Sequence, residues 1–469
     1  MRRVALPSPV NVPASALLGV RWPAVPAAAG ATALAIQFQL QQYQWWSADA
    51  LRAHQLTQLA ELLRHARATA PFWAKRLEDR DFDLRAPLTW DRFERLPLLT
   101  RRDLQDHEGD LRCRRVPDGH GPVFSTSTSG STGQPVTVHK TEVANVFWRA
   151  ITLREHLWHQ RDLGAKLAMI RYVRDANAAR PPRGARQDGW GPSTDWAYRT
   201  GPASLLAIRS DVKAQAKWLQ RENPTYLLSY PSNLLLLARH FQRGDKPVPP
   251  SLRQIRTMSE TLTPDTRRFC EEVFGVPIVD IYSTQEVGYV ALQCPDHLGY
   301  HVQSETVIVE VLDDDGRPCR PGTVGRVVVT PLHNYAMPLI RYQVGDFAEV
   351  GEPCPCGRGL PVLKRILGRV RNMLTFPDGR RNWPVFADDQ FVTIAPIRQY
   401  QFVQKTRERI EVRFVADRVV TPEEEDRFRA LINGRLGYDF DLVFTYHPSI
   451  PRDVSGKFED FKSEVEPLS

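Results

Sequence analysis

Apolar residues recur at helical spacing between Ala48 and about Leu111, through Leu51, Leu56, Leu59, Leu62 and Leu63, which predicts helices that turn one face to a core. From Ser204 onward the pattern alternates. A helix opened by Asp211 and closed by Pro224 precedes a strand over 225–230, a helix reaching Phe241 precedes a strand over 252–258, and a helix opened by Thr263 and stopped by Gly275 precedes a strand over 276–282. Strands alternating with helices predict a substantially parallel sheet with functional loops at strand ends. After Ser304 the texture becomes short strands and tight turns, over 306–312, the Asp314-Asp315-Gly316 turn and 324–330, which reads as a β-rich subdomain. Beyond about Gly368, strands near 401–403 and 410–415, a helix over 421–436 and a strand near 442–445 predict a small α+β domain. The fold class is therefore α/β. A large N-terminal domain over 1–368 has mixed or parallel sheets flanked by helices plus the β-rich subdomain, and a smaller domain covers 369–469.

Composition adds constraints. The chain has 469 residues, of which 42% are hydrophobic and 25% charged, enough apolar material for packed domains. Its net charge of +8 is carried more by arginine than lysine and is scattered, so a nucleic-acid partner is not expected; anionic small molecules or an acidic carrier protein suit it better. No stretch approaches the roughly 20 apolar residues that span a bilayer. The apolar run over 24–36 is broken by Pro26 and Gly30 and passes into a glutamine-rich segment, so despite Arg2-Arg3 residues 1–41 read as a leader packing on the large domain, not a signal peptide. Six cysteines are too few for a disulfide framework, and the cytoplasm is the expected compartment.

The chemistry concentrates in one run, Ser125-Thr126-Ser127-Thr128-Ser129-Gly130-Ser131-Thr132-Gly133-Gln134-Pro135. Glycines allow backbone N–H groups to turn toward one point and hydroxyls add donors, which suits a polyphosphate. A Gly-Lys-Ser/Thr ending is absent, so this is not a Walker loop, and a flexible linker is the plain alternative. Four more segments follow in order: Met258-Ser259-Glu260-Thr261, Tyr282-Ser283-Thr284-Gln285-Glu286, Arg341-Tyr342-Gln343-Val344-Gly345-Asp346 and Gly368-Arg369, with Ser455-Gly456-Lys457 near the end.

Taken in order, these six segments resemble the adenylate-forming superfamily of acyl-CoA synthetases and adenylation domains, in its phenylacetate-CoA ligase-like branch, over roughly 42–461. The resemblance implies ATP held by Thr128, Ser129, Gly130, Ser131, Thr132 and Gly133 and by Ser259, Glu260, Tyr282, Ser283, Asp346 and Arg369. Tyr282 would stack on adenine and Asp346, following a glycine in a turn, would accept the ribose hydroxyls. Thr284 would donate to phosphate, Glu286 would hold Mg²⁺, and Lys457 would be the catalytic cation between carboxylate and α-phosphate. A core tyrosine, a solvated glutamate, a turn aspartate and a solvated lysine are the ordinary alternatives for these residue types. The acid pocket would include Phe147, Tyr230 and Pro231, whose aromatic character suits an aromatic acid. Many relatives carry an acidic residue after Gly-Arg-x at the hinge that makes the C-terminal domain mobile; here Arg371-Asn372 follows Gly368-Arg369-Val370.

The implied activity is formation of an acyl-AMP with pyrophosphate release, then acyl transfer to coenzyme A or a carrier-protein phosphopantetheine. Transfer to an amine or hydroxyl is the alternative, and a zinc-stapled, non-catalytic interaction protein is the rival from another class. Cys294, His301, Cys354 and Cys356 form a Cys₃His set suited to structural Zn²⁺, with His297 as the alternative histidine and reduced, unliganded cysteine as the ordinary reading. The loop over 171–199 is open between lid, docking surface and disordered insertion, and the oligomeric state, a homodimer included, is open too.

Overall fold

A computed structural model describes residues 11–80, 82–128, 135–244, 247–384 and 388–465. The chain forms two compact units: Met1–Leu167, Arg186–Ser204 and Asp280–Ile366 make the first, and Ala168–Ala185, Leu205–Val279 and Leu367–Ser469 the second. Among the described residues no helix is long and apolar enough to cross a membrane.

In the first unit, helix Ala48–Thr69 starts where the Ser47 hydroxyl accepts from the Ala50 amide, and it buries Leu51, Leu59, Leu62 and Leu63. That face packs into a core with Trp73, Phe93 and the strands Val307–Leu312, Val324–Pro331 and Tyr342–Val350, which pair antiparallel in sequence order. Strand Gly288–Gln293 pairs antiparallel with both Tyr300–Val302 and Ile278–Thr284. The leader forms helix Ala28–Tyr43, with Gly30, Ala33, Gln37 and Leu40 buried. Gly30 lies inside this helix instead of breaking it, because the helix approaches so closely that a Cβ there would sit 2.2 Å from the Trp196 carbonyl oxygen.

The second unit carries the alternating pattern. Asp211 caps helix Val212–Glu222, and Asn223 ends it in the left-handed conformation just before Pro224. Thr263 and Gly275 bound helix Pro264–Phe274 in the same way. Strands Tyr226–Ser229 and Gln254–Thr257 pair in parallel, as the helix between them requires. The chain after Leu367 has a core of its own around Phe391, Phe402, Phe414 and Phe428, each burial contributing about 1.5–3 kcal/mol. Its strands Ile397–Gln404 and Arg409–Ala416 pair antiparallel, and a Thr421/Glu424 capping box opens helix Pro422–Leu436.

Candidate active site

Strands Val123–Ser127 and Thr137–Thr141 form a hairpin in the first unit, with Ser127 opposite Thr137. Thr128 closes its end: its amide donates to the Val136 carbonyl at 2.9 Å and its hydroxyl accepts from the Val136 amide at 3.0 Å. Ser129, Gly130, Ser131, Thr132 and Gly133 lie outside the described residues. Arg101 reaches the Thr128 hydroxyl at 3.3 Å, and its other terminal nitrogen lies 3.7 Å from Glu286.

Glu286 sits in the turn after strand Ile278–Thr284, where the Thr284 hydroxyl accepts from the Val287 amide at 3.1 Å. The strand's register shifts between Tyr282 and Ser283, a bulge that re-aims the side chains leading into this turn. Lys140, on the second hairpin strand, donates to the Gln285 carbonyl at 2.8 Å. Burial pushes its ammonium down to about 8 against the opposing pull of Glu286.

The phenol of Tyr282 donates to Asp346 at 3.0 Å. Asp346 was expected in a turn and lies instead inside strand Tyr342–Val350. The reason is a bulge: Arg326 pairs with Phe347 and Val328 with Gln343, so residues 344–346 face Val327 alone, with Gly345 at φ +85. Phe147 stacks on His333 with ring centroids 3.7 Å apart. Burial pushes His333 down to about 3, which keeps it neutral, and its Nδ1 has no hydrogen-bond partner among the described residues.

In the second unit, Ser259 and Glu260 follow strand Gln254–Thr257, Ser259 in the left-handed region at φ +74. The Glu260 carboxylate accepts from the Ser232 amide at 3.0 Å and the Phe458 amide at 2.7 Å, and Arg452 approaches it at 3.4 Å. Burial pushes the Glu260 carboxyl up, with Arg452 and the donors from Ser232 and Phe458 pulling it back. Asp453 gathers the Ser455 amide, the Ser455 hydroxyl and the Lys457 amide within 2.8 Å, 2.7 Å and 2.8 Å. The Lys457 ammonium makes no hydrogen bond or ion pair with any described residue. Tyr230 and Pro231 are buried, Tyr230 within the core of this unit. Arg369 starts a short 3₁₀ turn in which Asn372 accepts from the Arg369 amide at 3.3 Å and donates to the Phe461 carbonyl at 2.8 Å. Arg371 pairs with Glu459, so the basic hinge found in the sequence has an acidic partner.

Cys294, His301, Cys354 and Cys356 come together in the first unit with all four ligand atoms within 4.8 Å of one another, a donor set that fits zinc. His301 faces the Leu360 carbonyl through Nδ1 at 3.4 Å, which leaves Nε2, 3.4 Å from Cys356 Sγ, as the ligand nitrogen. Burial pushes His301 down to about 4, holding the ring neutral, the form that ligates. His297 is outside the cluster.

Residues 196–333 match the family of AMP-binding enzymes, and residues 378–464 match the CapK C-terminal domain. A phenylacetate-coenzyme A ligase of Thermus thermophilus is 28% identical over 339 residues, 70% of this chain and 72% of the relative. One from Escherichia coli is 23% identical over 429 residues, 87% of this chain and 93% of that protein. These matches support the adenylate-forming superfamily, in its phenylacetate-CoA ligase-like branch. The crystal structure of a 2-hydroxyisobutyryl-CoA ligase with its acyl-AMP shares the fold at a TM-score of 0.70 and 19% identity, covering 89% of this chain and 90% of that one.

The first unit thus joins Tyr282 to Asp346 and, through Arg101, Thr128 to Glu286, and the second joins Glu260 to the loop of Lys457. Sequence reasoning missed Arg101, Lys140, Arg452 and Asp453 as candidate site residues. One signal was available: the run 125–135 contains no lysine or arginine, so a polyphosphate there needs cations from elsewhere.

Proposed function

We propose that this chain is an AMP-forming acid–thiol ligase that activates a carboxylic acid as an acyl-adenylate and passes the acyl group to coenzyme A. The observation that carries this reading is the Tyr282–Asp346 contact beside the Thr284–Glu286 turn, with Arg101 and Lys140 next to the glutamate. In the first step a carboxylate oxygen attacks the α-phosphorus, the bond from that phosphorus to the bridging oxygen breaks, and pyrophosphate leaves with the electron pair. Lys457 stabilises the charge that develops between the two anions. Tyr282 stacks on the base, Asp346 accepts from the ribose, Thr284 donates to phosphate, and Arg101 and Lys140 supply the countercharge that the loop 128–133 lacks. Ser259, Ser283 and Arg369 complete the nucleotide contacts.

Glu286 fits Mg²⁺, being a buried carboxylate that receives no hydrogen bond from the described residues and has its nearest cation at 3.7 Å. When bound, the ion neutralises phosphate charge. In the second step the thiol gives up its proton to solvent, its sulfur attacks the acyl carbon, and the bond from that carbon to the phosphate oxygen breaks, AMP leaving with the electron pair. Residues 369–469 act as the mobile small domain between the steps. Zinc on Cys294, His301, Cys354 and Cys356 staples the β-rich subdomain. An aromatic acid suits Phe147 and Tyr230, the latter beside Pro231 at the start of helix Pro231–Arg243, and the relatives' names as phenylacetate-coenzyme A ligases support that class.

The test is pyrophosphate exchange into ATP across a panel of aryl and acyl acids. Exchange with an aryl acid, followed by thioester formation with coenzyme A, is expected; no exchange with any acid overturns the reading. Running the second step against coenzyme A, a phosphopantetheinyl carrier protein and an amine separates the three acceptors.

A further inference from the structure

The loop that carries Lys457 is fastened at three points. Arg452 Nη1 donates to the Ser232 hydroxyl at 2.7 Å and to the Gly456 carbonyl at 3.2 Å, while lying 3.4 Å from Glu260. Glu260 also takes the Phe458 amide, the residue after the lysine. Gly456 holds φ +79, and a Cβ there would come within 2.7 Å of Ile208 Cγ2, so the loop sits flush on its own unit. Asp453 ties Ser455 and Lys457 to one carboxylate oxygen, and Arg209 donates to the Asp453 carbonyl at 2.9 Å. The backbone on both sides of Lys457 is thereby fixed while its ammonium is left unpaired by the described residues. A nucleotide-binding role for the Glu260 carboxylate does not account for this, because both of its oxygens are already occupied by this loop and by the Ser232 amide.

We infer that Glu260 and Arg452 are positioning residues: they form a latch that docks the 452–458 loop so that Lys457 is held for adenylation, and the latch opens for thiol transfer. This rests on the proposed two-step activity. Physically, a loop held by a buried ion pair and an amide bond has one position, and a displacement of about 1 Å in a catalytic group costs on the order of 10²-fold in rate. The same contacts oppose the rotation of a mobile small domain, so the pair that favours the first step must be broken for the second.

The experiment compares wild type with Glu260→Gln, Arg452→Met and Arg452→Lys. Hydrogen exchange, which needs no substrate, is read first. The Phe458 amide should exchange at least about tenfold faster in Glu260→Gln and Arg452→Met, with the core strand Ile397–Gln404 unchanged; unaltered protection at Phe458 overturns the latch. Kinetics are read second. The turnover of pyrophosphate exchange should fall about 10²-fold with KM for ATP unchanged, Arg452→Lys should recover part of it, and thiol transfer from supplied acyl-adenylate should persist. Loss of both half-reactions, or a change in KM alone, overturns the positioning role. Absence of exchange in the wild type counts against the proposed activity instead, and the hydrogen-exchange result still decides whether the loop is latched.

Discussion

Two glutamates in this protein are buried to nearly the same extent and used in opposite ways. The Glu286 side chain is 6% exposed and its nearest cation among the described residues, Arg101, stands 3.7 Å away; the Glu260 side chain is 7% exposed and engaged through both oxygens by two amides and Arg452. Burial is therefore a poor guide to role. What separates them is hydrogen-bond saturation: a buried carboxylate with lone pairs unspent can accept an incoming ion, whereas one already filled holds protein to protein.

The largest effect that would sharpen this contrast lies at the loop Glu260 secures. Lys457→Ala should lower pyrophosphate exchange by about 10²–10³-fold with ATP binding retained by calorimetry, since it removes the ammonium that no described residue pairs; an unchanged rate would remove the lysine from the mechanism. Next, Glu286→Gln should weaken magnesium-dependent activity about 10–100-fold, with part of the loss recovered at raised magnesium. Glu260→Gln should show no such recovery. Equal rescue of both variants would erase the distinction drawn between the two carboxylates.

The Cys–His cluster offers a third case, in which four donor atoms lie within 4.8 Å of one another. Elemental analysis should find about one zinc per chain, and Cys354→Ser or chelation should lower the melting temperature by several degrees, at roughly 2–4 °C per kcal/mol for a domain of this size. Metal-free protein with an unaltered melting curve would return the cysteines to unliganded thiols. The smallest effect is expected at Tyr282→Phe, which removes one hydrogen bond to Asp346. About 1 kcal/mol, or roughly fivefold in KM for ATP, is the expected change.

Much of this was readable in the chain. The helix over 212–222 is announced by Asp211 and Pro224, and that over 264–274 by Thr263 and Gly275, because capping is local chemistry written within a few residues. The strand Ile278–Thr284, expected over 276–282, and the Cys₃His set were legible as well, because each rests on local spacing. The bulge that moves Asp346 out of a turn and into a strand was not, because it depends on how Tyr342–Val350 registers against Val324–Pro331. Arg101 and Lys140 were also hidden. Neither stands in a motif, and each gains its meaning from Glu286, far along the chain.

By itself, then, the sequence determined the periodicities, the caps, the order of the six motif segments and the residue types of the Cys₃His set. These are properties of neighbouring residues or of residue type. Tertiary structure decided which charges face one another: Arg101 at the buried Glu286, Arg452 at the buried Glu260, and Arg371 at the half-buried Glu459. Such pairs join positions far apart in the chain, and a buried charge is tolerated only where the fold supplies a partner, so their roles exist only once the chain has closed around them.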